Sequence, residues 1–551
     1  MKVTKFQLSN LFQLHKIRRF SQIVFFLLFL YLIILSVTPQ DAILPIDFFI
    51  RMDFLAAIST SLAARSLDMI FTTFIPACII VVMTIVLGRV FCGWICPMGT
   101  VLDLWDRVIR GRKKHVRNSR LPHSVSMRNI KYYLLGFFLV AAMFSTQLSW
   151  LMDPIPIVTR SVALPIYSYF TYVTTSILAP LWQVPIIHHV SEPLYSFLKA
   201  HIFLNNPNIG YQAMSMYHYL IFLVFIGILA LSVFQARFWC RYLCPLGALY
   251  GLISKLSILR WIVDPELCNA CNRCVRQCKT AAIIDKGTGY YVQECVDCFS
   301  CQYECPQQAI RFVFQSPLKS IRVEQTVLHE GLALSRRTFL KSAIAAGVVV
   351  PMIKLKTSER NPNPWLIRPP GAVAEEEFLD KCIRCGECVE VCLTNALHPA
   401  LFEADIEGIW TPRLIPMLGY CDYECNACSQ VCSTGAIRNI SLPDKKQLKI
   451  GLAYFNKNKC IPWNENKNCL VCEEHCPVPD KAIKFVDEQV PEQRTNRLVT
   501  VKRPYVVTEL CIGCGICEYK CPLKDEPGIR VTARNEARHP QRYSGSGENT
   551  L

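Results

Sequence analysis

Twenty-four cysteines fall into six groups of four, and no other feature of this 551-residue chain restricts its fold so strongly. The first group is Cys268, Cys271, Cys274 and Cys278, the second Cys295, Cys298, Cys301 and Cys305, the third Cys382, Cys385, Cys388 and Cys392, and the sixth Cys511, Cys514, Cys517 and Cys521. All four read C-x2-C-x2-C-x3-C. The fourth group, Cys421, Cys425, Cys428 and Cys432, and the fifth, Cys460, Cys469, Cys472 and Cys476, are looser but keep the final C-x2-C-x3-C. Three thiols on one tight loop grip one face of an iron–sulfur cubane, and the fourth reaches a neighbouring cluster. Zinc sites use two C-x2-C pairs set well apart, so zinc suits this spacing poorly. Four cysteines in about ten residues are too crowded for separate disulfides. The expected cofactors are six [4Fe–4S] clusters with these 24 cysteines as iron ligands. Pro follows Cys305, Cys476 and Cys521 as in the ferredoxin run, whereas Lys279, Leu393 and Ser433 replace it elsewhere. No Cys-x-x-Cys-His occurs, which excludes a c-type haem site.

Much of the remaining chain is apolar. The sequence is 52% hydrophobic and only 18% charged, with a mean hydropathy of +0.26, values that place part of it in lipid. Apolar runs cover residues 20–38, 71–91, 132–150 and 217–234, each long enough for a hydrocarbon core of ~30 Å. The expected fold class is a membrane α-helical bundle of about four spans plus α+β ferredoxin-like [4Fe–4S] modules. Lys2, Lys5, Lys16, Arg18 and Arg19 precede or open the first run, the basic stretch 107–120 follows the second, and Arg237 and Arg241 follow the fourth. The positive-inside rule then puts the N-terminus, residues 92–130 and the segment after 236 in the cytoplasm. A cleaved signal peptide is the other reading of the first run; three later runs and no small-residue site near Thr38 argue against it. Residues 161–200, broken by Pro165, Pro180 and Pro185, are expected to be interfacial or re-entrant on the outside. The formal net charge is +17, but six clusters with their thiolates bring about −12. No nucleic-acid partner is implied.

A different motif occurs twice, Cys92-Gly93-Trp94-Ile95-Cys96-Pro97 and Cys240-Arg241-Tyr242-Leu243-Cys244-Pro245, each closing a span at its cytoplasmic end. Cys92, Cys96, Cys240 and Cys244 are the candidate catalytic residues. Four thiols meeting there can ligate a metal or form redox disulfides beside the quinone headgroup region; the plainer alternative is a buried turn whose cysteines merely pack. Cys78, alone within a span, reads as an inert thiol. His188, His189, His201 and His218, in or beside the outer loop, are candidate proton acceptors, although each one singly fits a loop or interface histidine better. Residues 335–341 read Ser-Arg-Arg-Thr-Phe-Leu-Lys and precede a short Ala/Gly-rich apolar run. This is a twin-arginine export pattern, with Ala372-Val373-Ala374 as a small-residue site suited to cleavage. An export signal in mid-chain makes sense if two proteins have been joined, the second carried across the membrane already folded around its clusters.

Residues 1–325 resemble NapH, the membrane polyferredoxin of periplasmic nitrate reductase systems, through the four spans, the paired C-x3-C-P motifs, Cys244-Pro245-Leu246-Gly247-Ala248-Leu249 and two cluster motifs. Residues 335–540 resemble NapG, its exported four-cluster partner, and MauM, through the twin-arginine signal, Arg368-Pro369-Pro370-Gly371-Ala372, Cys382-Ile383-Arg384-Cys385-Gly386 and the later groups. The resemblance implies a NapG–NapH-type fusion. Its parts would be a quinone-interacting bundle at 1–256, a cytoplasmic two-cluster module at 257–325, a linker with the signal at 326–374, an exported four-cluster module at 375–540 and a disordered tail at 541–551. It implies a bacterial inner-membrane protein, the quinol-oxidising electron-transfer subunit of an oxidoreductase system. Quinol is then its diffusible substrate, and a periplasmic cytochrome or terminal reductase and the twin-arginine export machinery are its partners. Ferredoxin-like repeats further imply that Cys305 completes the set of Cys268, Cys271 and Cys274, and that Cys278 completes that of Cys295, Cys298 and Cys301. In the exported half, the third group is expected to exchange its last cysteine with the sixth, and the fourth with the fifth. The alternative is a CcoG- or NosR-like polyferredoxin acting in metal reduction, cofactor assembly or redox sensing; the CcoG type lacks an exported four-cluster half, and the NosR type adds an outer flavin-binding domain not found here. Two clusters inside and four outside leave a ~30 Å core between them, to be bridged by the C-x3-C-P site and quinone or by a partner.

Overall fold

The computed structural model describes residues 14–36, 44–110, 125–182, 192–193, 195–198, 216–264, 266–284, 289–315, 335–354, 363–491 and 498–538. The basic stretch 111–124, His188, His189, His201 and the tail at 541–551 lie outside the described residues. The chain forms two compact units. One comprises Met1–Ile33, Phe48–Val162 and Leu220–Pro351, the other Ile34–Asp47, Ala163–Tyr219 and Met352–Leu551.

Among the described residues, two helices are long and apolar enough to cross a membrane, Leu14–Leu35 and Tyr217–Phe234. The runs expected as second and third spans are built differently. Residues 71–91 give a helix of 13 residues, Ile75–Leu87, because Gly88 takes a φ of +84° and ends it. Residues 132–150 begin inside the helix Val125–Met143, whose first turns carry Arg128 and Lys131 and which stops where Ser145 takes a φ of +54°. After Ile75–Leu87 comes a π-helical turn, Phe91–Ile95, and then the helix Pro97–Arg110. The same plan recurs after the helix Tyr217–Phe234 as Trp239–Leu243 followed by Pro245–Ile253. Proline opens both following helices, where its missing N–H costs nothing. Lys131 ties the helical part of this unit to its cysteine-rich part, with Nζ 2.6 and 2.7 Å from the Glu294 carboxylate.

Three modules share one plan: an outer strand, a cysteine group, a hairpin, a second group, and an outer strand that pairs with the first. In the first unit, β1 (Leu259–Val263) and β2 (Ile283–Ile284) precede β3 (Gly289–Tyr290) and β4 (Ile310–Phe314). β1 runs antiparallel to β4 with Leu259 opposite Phe314, and β2 with β3 forms the inner hairpin. β1 and β4 are rich in aromatic and β-branched residues, which suit a pleated, half-buried surface. Trp261, Ile283 and Ile310 form their core, against Cys274, Cys278, Cys301 and Cys305. The second unit holds the other two modules. In one, β5 (Leu397–Pro399) pairs with β6 (Pro412–Leu414), and a bridge between Ala372 and Ile437 closes the outside. In the other, β7 (Leu452–Phe455) pairs with β10 (Ile529–Thr532) around the long hairpin of β8 (Ile483–Pro491) and β9 (Leu498–Val506).

Residues 363–374, expected in the linker, are built into this fold. Val373 N–H donates to Ala436 O at 3.1 Å, and Arg438 N–H to Gly371 O at 2.9 Å. Gly371 has a φ of +86°, and a Cβ there would meet Arg438 O at 2.8 Å. Arg368 is fully buried. It donates to Thr411 Oγ1 and Pro412 O at 2.9 and 2.8 Å and to Glu375 at 2.6 and 3.2 Å, and Arg538 reaches the same carboxylate at 2.7 Å. Cleavage after Ala374 would remove one of the two guanidiniums that balance Glu375. Intact-mass measurement of the membrane-extracted protein is therefore expected to show residues 363–374 retained; a mature form starting at Glu375 would contradict this. Burial alone would push the Glu375 carboxyl up, but Arg368 and Arg538 outweigh it and hold it well below its ordinary value of 4.5. Its contribution to stability is thus complete above that range and is lost as pH falls below it. Glu375→Ala leaves two guanidiniums without their carboxylate and is expected to cost about 3–5 kcal/mol, read as an earlier thermal loss of the cluster absorbance.

Candidate iron–sulfur centres

Four of the cysteine loops are wound alike. The residues flanking the middle cysteine both have left-handed backbone: Ala270 and Asn272 (φ 52° and 58°), Asp297 and Phe299 (46° and 54°), Arg384 and Gly386 (51° and 88°), and Gly513 and Gly515 (74° and 84°). Side chains other than glycine resist this conformation by ~1–2 kcal/mol each. Its recurrence at one place in four loops marks a constraint set by what the loop encloses. Backbones that alternate into this region form the concave nests that hold anions, and a [4Fe–4S] core with four thiolates carries about −2. Backbone N–H groups also donate to the cysteine sulfurs: Ala282 to Cys278 (3.2 Å), Ala396 to Cys392 (3.3 Å), Ile437 to Cys432 (3.3 Å) and Ala482 to Cys476 (3.4 Å). Burial pushes the thiols up, Cys274 to about 11 and Cys472 and Cys514 to about 12, so bound iron is needed to hold them as thiolates. Among the described residues no three Cys, His, Asp or Glu converge as a single metal ion requires. The cysteine loops fit a cluster better than zinc.

The fields between thiols show which cysteines belong together. Cys274 lies in the field of Cys268, Cys271 and Cys305, and the four line one cavity. Cys301 lies in that of Cys298 and Cys278, and Cys295 in that of Cys298 and Cys301. Both sets are the expected ones. The second unit departs from expectation. Cys385 and Cys388 gather with Cys382 and Cys432. Cys392 gathers with Cys421, Cys425 and Cys428, and the four line a cavity. Cys460 and Cys469 lie with Cys472 and Cys521, and Cys511, Cys514 and Cys517 lie with Cys476. The third group thus exchanges its last cysteine with the fourth, and the fifth with the sixth. Each outer-strand closure brackets two consecutive groups, and the shorter loops so closed cost less entropy than a nested exchange.

The four sets of the second unit also form a line. Cys388 lies in the field of Cys428, Cys514 in that of Cys421, and Cys517 in that of Cys472. Cys421 N–H donates to Cys514 O at 2.8 Å. The order is third, fourth, sixth, fifth. When bound, the clusters accept and pass on single electrons, at potentials that sulfur hydrogen bonds and burial tune.

Cys92, Cys96, Cys240 and Cys244 converge in the first unit, with Cys244 in the field of the other three. Two arginines stand beside them, both fully buried: Arg89, absent from the sequence expectations, and Arg237, expected there only as a topology charge. Arg237 donates to Cys92 O (3.2 Å), Gly99 O (3.3 Å) and the Asp103 carboxylate (2.8 and 2.9 Å). Arg89 donates to Gln293 O at 2.6 Å and approaches Cys92 Sγ to 4.0 Å. The repeat R-x2-C-x3-C-P-x-G carried this signal. A second omission is a carboxyl pair. Asp53 caps Phe54–Ala63, accepting from Leu55 and Ala56 N–H at 3.0 and 3.1 Å, and Asp153 caps Pro154–Ser161. The two carboxyls are fully buried and lie in each other's field. Burial pushes both up, so the pair holds a proton more tightly than ordinary carboxyls. Tyr250 Oη donates to Met52 O at 3.2 Å and lies in the field of Asp53, Asp153 and Cys92. Met-Asp occurring in two apolar outer segments was the available clue. His218 is buried and belongs to the other unit.

A Cβ on Gly513 would lie 2.5 Å from the Gly451 backbone. Gly513→Ala is therefore expected to lose about four iron atoms per chain, and unchanged iron would contradict the loop assignment. Cys432→Ser is expected to alter the same EPR signal as Cys385→Ser; sharing a signal with Cys472→Ser instead would restore the nested exchange.

Family models described as 4Fe-4S binding domains match residues 69–116 and 217–263 in one case, and 261–284 and 378–398 in the other. The methylamine utilization ferredoxin-type protein MauM of Paracoccus denitrificans is 32% identical over 174 residues, covering 31% of this chain and 72% of that protein. The ferredoxin-type protein NapG of Escherichia coli is 30% identical over 218 residues, 38% of this chain and 91% of that protein. The putative electron transport protein YccM of Escherichia coli is 26% identical over 240 residues, 43% of this chain and 54% of that protein. No solved structure matches. With its cysteine loops and these relatives, the chain is an iron–sulfur electron-transfer protein and belongs to the family of ferredoxin-type proteins that includes MauM and NapG.

Proposed function

We propose that this chain is a NapG–NapH-type fusion in the bacterial inner membrane. It oxidises quinol at the helical part of its first unit and delivers electrons to a periplasmic cytochrome or reductase through six [4Fe–4S] clusters. The Asp53–Asp153 pair carries the reading. Quinol oxidation releases two protons with two electrons, and a buried carboxyl pair is a proton acceptor placed where histidines are lacking among the described residues. Asp53 and Asp153 take the protons while the thiol-rich end of the same unit stands on the other side of Tyr250. Four spans, with the 13-residue helix Ile75–Leu87 and the 19-residue helix Val125–Met143 completing the bundle, agree with the charge pattern. The second unit draws together segments 34–47 and 163–219 with the half that follows the twin-arginine sequence. The positive-inside rule assigns these segments to the outside, which supports a periplasmic second unit.

A base with a raised pKa works better as pH rises through that value. Stopped-flow mixing of the oxidised, detergent-solubilised protein with a menaquinol or ubiquinol analogue is therefore expected to show cluster bleaching that accelerates above the ordinary carboxylate range. Asp153→Asn is expected to slow it ~100-fold and flatten the profile. Clusters that ignore quinol, or a rate indifferent to both pH and this substitution, would contradict the proposal.

A further inference from the structure

Cys92, Cys96, Cys240 and Cys244 come from distant parts of the chain yet come together, Cys96 and Cys244 buried and Cys92 and Cys240 half-buried. Each half supplies an arginine, a π-helical turn with two cysteines, and a helix opened by proline. The pieces are exchanged across the pair. Arg237 of the second turn bonds Cys92 O and Gly99 O of the first, and a Cβ on Gly247 of the second turn would lie 2.8 Å from Arg89 of the first. Both halves match a 4Fe-4S binding domain, but neither has four cysteines of its own. Residues 69–116 contain Cys92 and Cys96 plus Cys78 inside the helix Ile75–Leu87, and residues 217–263 contain Cys240 and Cys244 alone.

Charge decides what the group encloses. Arg18, Arg237 and Lys279 all face one carboxylate, Asp103, at 3.5, 2.8 and 2.9 Å. Arg89 and Lys131 share another, Glu294, at 3.8 and 2.6 Å. Five cations, all but Lys279 fully buried, face the carboxylates Asp103 and Glu294, and Arg89 also stands beside the buried Asp297 carboxyl. With Asp106, one helical turn beyond Asp103, and Asp297 both ionised, one positive charge is left, and Arg237 stands in the field of Cys240 of this group and of Cys298 of the adjoining second set, so thiolate sulfurs are the anions placed to balance it. Neutral thiols or disulfides bring none. Four thiolates closed around a [4Fe–4S] core bring about −2. Gly247 N–H already donates to Cys244 Sγ at 3.2 Å, and the positive ends of the helices at Pro97 and Pro245 adjoin Cys96 and Cys244.

We propose that Cys92, Cys96, Cys240 and Cys244 together hold a seventh [4Fe–4S] cluster, half of its ligands supplied by each C-x3-C-P turn. This rests on the iron–sulfur reading of the chain and is independent of quinol. The site adjoins one ferredoxin-type set from two sides. Trp94 Nε1 donates to Asp297 O at 3.0 Å, inside the loop of Cys295 and Cys298. Arg241 donates to Lys279 O at 2.6 and 2.9 Å, next to Cys278, which completes the same set. The seventh site is thus the membrane-side neighbour of the second set.

The test is iron and sulfide counting, with Mössbauer spectroscopy, on the full chain purified anaerobically in detergent. About 28 iron atoms per chain are expected, falling by about four in Cys92→Ser and in Cys240→Ser while the other EPR signals persist. About 24 iron atoms, unchanged in both variants, would overturn the seventh site and leave the six-cluster reading standing. A much lower count would overturn both. Should the variants fail to fold, the wild-type chain still decides. Alkylation and mass spectrometry after non-reducing denaturation should find these four cysteines as free thiols, protected from alkylation until iron is removed. A disulfide among them in the native protein would overturn the proposal.

Discussion

Thiolates packed around an iron–sulfur core have to be taken out of water, and the rest of this structure follows from how the chain offsets that penalty. An anion buried without compensation is costly. Here compensation is local and repeated: left-handed residues flank the middle cysteine of four loops, backbone N–H groups point at sulfur, and each module seals itself by pairing its first strand with its last. Iron completes the balance. These modules have small cores, centred on residues such as Trp261, Ile310, Phe378 and Ile437, in which the cysteines themselves are packing surface. Loss of a cluster is therefore expected to loosen the module around it.

The same balance explains why the basic residues of the first unit are buried rather than solvated. Arg89, Arg237 and Lys131 sit between helices and cysteine loops and bond backbone carbonyls as well as carboxylates. They join the helical and ferredoxin-like parts into one unit. They also hold the two C-x3-C-P turns against each other, so that the ends of two helical segments become one site. The Asp53–Asp153 pair gives the same unit a buried group that binds protons, and Tyr250 lies in the field of that pair and of Cys92.

The iron–sulfur character of the cysteine loops was legible in the sequence because their spacing is itself the chemistry: a C-x2-C-x2-C loop has few uses. Which loop shares its last cysteine with which was not legible in the second unit, since that depends on strand closures such as Ala372 with Ile437. The helices Leu14–Leu35 and Tyr217–Phe234, long and apolar enough to cross a membrane, were legible from length and apolarity. Where the helices of the second and third runs end was not legible, since it depends on the left-handed backbone at Gly88 and Ser145. Arg368-Pro369-Pro370-Gly371-Ala372 read as a linker because its buried partners, Thr411, Glu375 and Arg438, come later in the chain. The arginine and Met-Asp repeats were visible, but their meaning depended on convergence, which local periodicity does not report.

The central claim is that electrons enter this chain from quinol and occupy cysteine sets in both units. An anaerobic EPR titration of the intact, detergent-solubilised protein tests it most directly, with a menaquinol or ubiquinol analogue as sole reductant and with variants at Cys301 and Cys517 to assign signals to each unit. Signals from both units that appear on adding quinol are the expected result. Signals confined to one unit, or absent until dithionite is added, would contradict the account.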